Sequence, residues 1–202
     1  MLGASGAEIH PTPDPADPAK IYIPKDLDDV FIELRKMLPQ DVQTKMKNGT
    51  EQEMIEYHFS LGMWMRNHWG LWQKSRLAKY FHGIGVQHPD DMSGIIIKSF
   101  WRHLNNKPVQ LEKQVAYYQE YWKYNIPPED AVSPADGSPI NFISAHPCKD
   151  MNVSEHCLEH LGVSKSDGTP WAYQYGKGVY EPDKAEKESI LGQAQRLGII
   201  KK

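Results

Sequence analysis

The sequence predicts a mainly α-helical fold: a compact bundle of five to six helices followed by an irregular C-terminal extension rich in proline and glycine. Three observations carry this expectation. Apolar residues recur at three- and four-residue spacing in successive windows from Leu27 to Trp122. Helix-start and helix-stop residues punctuate those windows. Eleven of the 15 prolines lie before residue 20 or after residue 126, outside the periodic region. The organisation that follows is a flexible Pro-rich arm over 1–19 and a helical domain over 20–125. The extension over 126–202 then carries one or two short helices.

Pro11, Pro13, Pro15 and Pro18 fix φ and remove donors, so the arm is expected to hold neither a helix nor a central strand. Asp26 is a good N-cap for the first helix, in which Leu27, Val30, Phe31, Leu34, Met37 and Leu38 form one apolar face. Asp28 and Asp29 in its first turn, with Arg35 and Lys36 in its last, suit the helix dipole, and Pro39 ends it. A short amphipathic piece over 41–47 closes at Asn48-Gly49.

Thr50 and Glu53 form a capping-box pattern that opens a long helix to about Asn67, with Met54, His58, Leu61, Met65 and Trp69 as one stripe. Gly62 costs that helix about 1 kcal/mol relative to alanine, and a close helix crossing is the reason to accept it. Gly70 is the C-cap candidate. A short helix over 75–82 stops at Gly83 and Gly85. His88-Pro89-Asp90-Asp91 starts the next one, which is apolar nearly all round (Met92, Ile95, Ile96, Ile97, Phe100, Trp101, Leu104) and so packed on more than one side. Leu111, Val115, Tyr118 and Trp122 mark a helix over 110–124.

Five prolines between 127 and 147 predict an irregular wrapping segment. A short helix is expected over 154–161, hairpin potential around Gly176-Lys177-Gly178, and a last, weakly amphipathic helix over 182–197.

The stretch Tyr57–Leu104 holds four of the six tryptophans and five of the nine histidines, and no acid lies between Glu56 and Asp90. Residues 57–111 carry seven Lys/Arg against two acids, a local +5 that leaves −8 for the rest of a chain of net charge −3. That asymmetry bears on the sign of a ligand rather than on the fold. No apolar run is long enough to span a membrane, and the first 20 residues lack the charged and apolar regions of a signal peptide. Cys148 and Cys157 are too few for a disulfide-stapled fold and are expected as free thiols, with a Cys148–Cys157 disulfide as the alternative and the cytoplasm as the default location.

The phrases IPKDLDDVFIEL, YHFSLGMWMRNHWGLW, SRLAKYF, HPDDMSGIII and SFWRHLN place rare residues at fixed spacing between Ile23 and Trp122. In these the chain resembles a bacterial family catalogued only as a domain of unknown function. The resemblance implies a compact, mostly helical domain and no reaction.

Nine residues are candidates for a ligand-binding or interaction site: Arg66, His68, Trp69, Trp72, Arg76, His88, Asp90, Asp91 and Arg102. Arginine forks suit phosphate or carboxylate, and tryptophan faces suit cations and flat rings. Each also has a plain structural role: Asp90 and Asp91 cap a helix, the arginines pair with them, and Trp69 and Trp72 fill the core. No catalytic residue is identified. His146, Cys148, His156, Cys157 and His160 are the only cluster of metal-ligand types, at a spacing that fits no standard zinc module, so neither metal nor cofactor is predicted. The chain is acidic overall and holds no nucleic-acid reader motif, so nucleic acid is not an expected partner.

Two functions remain open. One is a non-catalytic protein-interaction module presenting an aromatic and arginine-lined surface, for which an immunity or accessory role in a bacterial conflict system would fit. The other is an enzyme or binder of a small anionic ligand at an Arg/His/Asp pocket.

Overall fold

Helices and sheets share the chain. A computed structural model describes residues 10–149 and 156–201. Among them stand seven α-helices and six strands in two antiparallel sheets, which overturns the expectation of a mainly α bundle with an irregular extension. The chain divides into two compact units, Met1–Tyr118 and Gln119–Lys202, with the division falling inside a helix.

The first unit begins with a two-stranded hairpin, β1 (Pro13–Asp14) and β2 (Asp17–Ile21). Both strands are edges, so proline removes no ladder donor that a neighbour requires. Within the arm expected over 1–19, residues 13–14 and 17–19 are therefore extended and paired. The part before His10 lies outside the described residues.

Helix α1 (Leu27–Met37) is capped as its sequence requires, with the Asp29 amide donating to the Asp26 carboxylate at 2.9 Å. Helix α2 (Gln40–Asn48) follows Pro39. The expected capping box is present: Glu53 N donates to Thr50 Oγ1 at 3.3 Å, and Thr50 N donates to Glu53 Oε2 at 2.7 Å. What it opens is not one α-helix, however. A 3₁₀ segment (Gln52–Tyr57) gives way to a π turn (His58–Gly62) and then to α3 (Met63–His68).

Gly62 shows why the segment bends to this path. A Cβ built there would lie 3.3 Å from Ile97 Cδ1 and 3.5 Å from Ser93 Oγ, so its hydrogen lets the π turn seat against the next long helix. Gly70 takes φ +63° beyond the end of α3, a conformation open to glycine and strained for most other residues.

Ser75 caps α4 (Arg76–Gly83), and His88 caps α5 (Pro89–Leu104) by accepting from Asp90 N at 3.2 Å. Helix α5 is the centre of the unit. Met92, Ile95, Ile96 and Phe100 are wholly buried, and α1, α2, α3, α4 and both irregular turns pack around it. This is the arrangement its all-round apolar pattern predicts. Helix α6 (Leu111–Asn125) closes the unit with Val115 and Tyr118 against the same core.

The second unit is a four-stranded antiparallel sheet in the order β3 (Ile140–Pro147), β4 (Leu158–Ser164), β5 (Pro170–Gln174), β6 (Gly178–Tyr180). Helix α7 (Lys184–Arg196) packs on one face, over a small core of Leu161, Val163, Ala172, Ile190 and Ala194. Pro139 and Pro147 bound β3 rather than interrupt it, which is why a proline-rich segment is still a strand.

Strand β4 replaces the helix expected over 154–161, of which 154–155 lie outside the described residues. It is paired on both sides and buried nearly throughout, so it lacks the alternation that announces a strand. The hairpin expected near Gly176-Lys177-Gly178 is the β5–β6 turn. Cys148 and Cys157 are disulfide-bonded, not free: the Cys148 amide donates to the Cys157 carbonyl at 3.0 Å, which places the two side chains opposite each other where β3 ends and β4 begins.

Candidate functional site

The site is built where α3 crosses the first turn of α5. Arg66, on α3, is buried and reaches three partners. Its Nε lies 3.0 Å from Asp90 Oδ1, its Nη1 donates to Ser93 Oγ at 2.7 Å, and its Nη2 donates to the His58 carbonyl at 3.4 Å. Ser93 Oγ in turn donates to the Asp90 carbonyl at 2.9 Å. A buried guanidinium needs such partners, because a lone charge out of water is costly.

Asp90 is the hub. Its carboxylate is 37% exposed and faces two imidazoles, His58 Nε2 at 3.5 Å and His88 Nδ1 at 3.5 Å. The π turn delivers His58 to this place. Aromatic rings continue the arrangement outward on both sides: Phe59 stands edge-on to His58 at 5.0 Å, and Trp72 edge-on to His88 at 5.9 Å. One path, Phe59–His58–Asp90–His88–Trp72, thus runs across the surface with Arg66 beneath it.

Of the nine sequence candidates, Arg66, His88, Asp90 and Trp72 meet here. The others do not. His68 stacks on Trp64 at 4.7 Å, and Trp69 is wholly buried in the core. Arg76 donates to the Ile23 carbonyl at 2.5 Å and lies over the Tyr22 ring, holding the chain after β2 to α4. Arg102 forks onto Glu51, with Nη2 2.7 and 2.9 Å from its two oxygens. Asp91 is buried in the first turn of α5. Its charge, after the larger effect of burial, helps push the Tyr118 phenol up to about 12. Each of the three arginines is thus engaged within the fold.

Two members of the site escaped sequence reasoning. A single α-period carried from Thr50 to about Asn67 puts His58 on a core stripe, and Phe59 falls outside that stripe. The available signal was Gly62 in mid-segment, since a glycine there marks a place where the helix need not stay regular.

Among the metal-ligand candidates of the second unit, the disulfide removes Cys148 and Cys157 as thiolate ligands. His156 stands edge-on to Tyr121 at 6.0 Å. His160 is buried between Phe142 and Tyr173, and burial holds its imidazole below the usual histidine range. Only His146 stands with other ligand types, Glu159 and Glu186.

Residues 23–104 match the model of a family described as a Domain of unknown function (DUF6794), so the match ends with α5 and stops short of the 23–122 span that the resemblance suggested. No curated protein and no solved structure matches the chain significantly. Among the described residues, no helix is long and apolar enough to cross a membrane.

Proposed function

We propose that the domain over residues 23–104 is a non-catalytic protein-binding module whose contact face is the path from Phe59 to Trp72. The observation that carries this reading is exposure of large apolar side chains on the segment that delivers His58 and at Trp72 beside His88. Phe59 is 78% exposed and Trp72 56%. Ile55 and Met63, four residues to either side of Phe59, are 69% and 51% exposed. Clustered exposed apolar side chains are a mark of interaction surfaces, and tryptophan is a favoured anchor. Between them Asp90 offers a hydrogen-bond acceptor whose orientation Arg66 sets. The matching partner surface is apolar at two points and carries a donor between them.

The engagement of Arg66, Arg76 and Arg102 within the fold favours this reading over an anion pocket. A photo-crosslinking residue at position 59, with position 45 on the exposed side of α2 as the control, provides the test. The reading expects one discrete adduct from position 59, none from 45, and loss of that adduct in Trp72→Ala. Equal adducts from both positions, or an adduct indifferent to Trp72→Ala, would end it.

The bonded Cys148 and Cys157 support maturation in an oxidising compartment in place of the cytoplasmic expectation. Thiol alkylation of freshly lysed native cells tests this, and two modified cysteines would refute it.

A further inference from the structure

We propose that His146, Glu159 and Glu186 form a binding site for a divalent transition metal ion, with zinc as the reference ion. The three come from β3, β4 and α7, and their ligand atoms lie within 4.8 Å of one another.

The imidazole carries the first argument. His146 Nδ1 lies 3.1 Å from the Pro147 carbonyl. A carbonyl only accepts, so the proton sits on Nδ1. In the neutral ring, Nε2 would present a lone pair to Glu159 Oε2 at 3.6 Å, one electron-pair donor opposite another. A cation between them resolves that opposition. Metal-binding histidines are commonly held in this way, with the second ring nitrogen donating to a backbone carbonyl.

The carboxylates carry the second argument. Glu159 is only 4% exposed, and Tyr180 OH donates to its Oε1, which leaves Oε2 free to turn towards His146. Glu186 Oε2 closes the capping box of α7, accepting from Asp183 N at 3.1 Å. Its Oε1 is buried and already meets a cation, the Lys149 ammonium at 2.5 Å. The same ammonium reaches Asp183 Oδ2 at 3.2 Å, so it is shared between two carboxylates. Each carboxylate therefore has one oxygen anchored by a neutral donor and one that faces a cation or His146.

Geometry and support agree with the assignment. Zinc bonds of about 2.1 Å in a tetrahedron require ligand atoms about 3.4 Å apart. The His146–Glu159 pair is already close to that spacing at 3.6 Å. Glu186 supplies the remaining approach, on the order of 1 Å given that bond length. His146 and Glu159 are direct cross-strand partners, and the Cys148–Cys157 bond lies two residues further along both strands, so it pins their register from the same face. His146 and Glu186 also line a cavity of about 430 Å³, which has room for a fourth, exchangeable ligand. Lys149 is the competitor: its ammonium, held by Glu186 and Asp183 on a side chain 67% exposed, must leave Glu186 as the ion enters.

Titration of the chelator-stripped full chain with Co²⁺, followed by visible absorption, and with Zn²⁺, followed by calorimetry, tests the assignment. One ion per chain is expected. His146→Ala and Glu186→Gln, both at the rim of the cavity, should each weaken affinity at least about tenfold, on the scale of supporting contacts at metal sites. Lys149→Ala should strengthen it, and His68→Ala should leave it unchanged. Circular dichroism of each variant verifies that it folds. The proposal is overturned if well-folded wild type gives no cobalt absorption, or if binding survives both His146→Ala and Glu186→Gln. Weaker binding in Lys149→Ala would also refute it, by showing that the lysine belongs to the site.

Discussion

Gly94 on α5 makes a prediction whose sign reverses with one neighbouring atom. A Cβ built at Gly94 would lie 2.5 Å from the Tyr118 hydroxyl but 3.6 Å from Tyr118 Cζ. In Gly94→Ala the phenol must therefore retreat by roughly 1 Å to regain contact distance, and it is held by the core around Val115. Overpacking of this kind costs about 1–3 kcal/mol. Alanine in the helix interior returns about 1 kcal/mol relative to glycine. The net expectation is a loss of about 0–2 kcal/mol. In the Tyr118→Phe background the hydroxyl is gone and the nearest ring atom is at ordinary contact, so the same Gly94→Ala change should stabilise by up to about 1 kcal/mol. Urea denaturation of the four chains of this cycle, followed by tryptophan fluorescence, measures a coupling of about 1–3 kcal/mol. Additive effects, or stabilisation by Gly94→Ala in the native background, would refute the reasoning.

Further expectations concern tryptophan, sulfur and protons. Trp69→Ala should destabilise the first unit by about 3–5 kcal/mol, because the ring is wholly buried, whereas Trp72→Ala should stay within about 0.5 kcal/mol; thermal melts of the two variants compare them directly. Reducing Cys148–Cys157, nine residues apart, releases a loop constraint worth about 2.5 kcal/mol, and a urea midpoint in the second unit that ignores reductant would contradict that. Burial, then the Arg35 charge, holds His103 below the usual histidine range. The unfolded chain thus takes up this proton first, so the contribution is intact above about pH 6.5 and is lost as pH falls below it. Urea midpoints at pH 7.5 and 5.5 should therefore drop less in His103→Phe than in wild type, and an equal drop would count against the assignment.

Much of the first unit was legible because its signals are local. Asp26, Thr50 with Glu53, and Ser75 each act within four residues and sit where they cap, and Pro89 opens the first turn of α5. The site was half legible. Arg66, His88 and Asp90 were named, but the +5 count over 57–111 misled, because Glu51, which neutralises Arg102, lies just outside that window. The second unit was not legible. Strand pairing joins residues that no short window contains, such as His146 with Glu159, and a central strand like β4 offers no period to read. His156 and His160 sit four apart, which suggests one helix face, yet His160 lies on a strand and His156 ahead of it.

The Arg66–Asp90 pair also governs how a partner would arrive. A carboxylate balanced by a guanidinium 3.0 Å away projects little field past a Debye length, about 8–10 Å at physiological salt. Nothing in that pair pulls a charged protein in from a distance. Encounter at this face would then be left to diffusion and orientation, at roughly 10⁵–10⁷ M⁻¹s⁻¹, and added sodium chloride would barely change the rate. Discrimination would come after contact, through how long Phe59 and Trp72 hold what they meet.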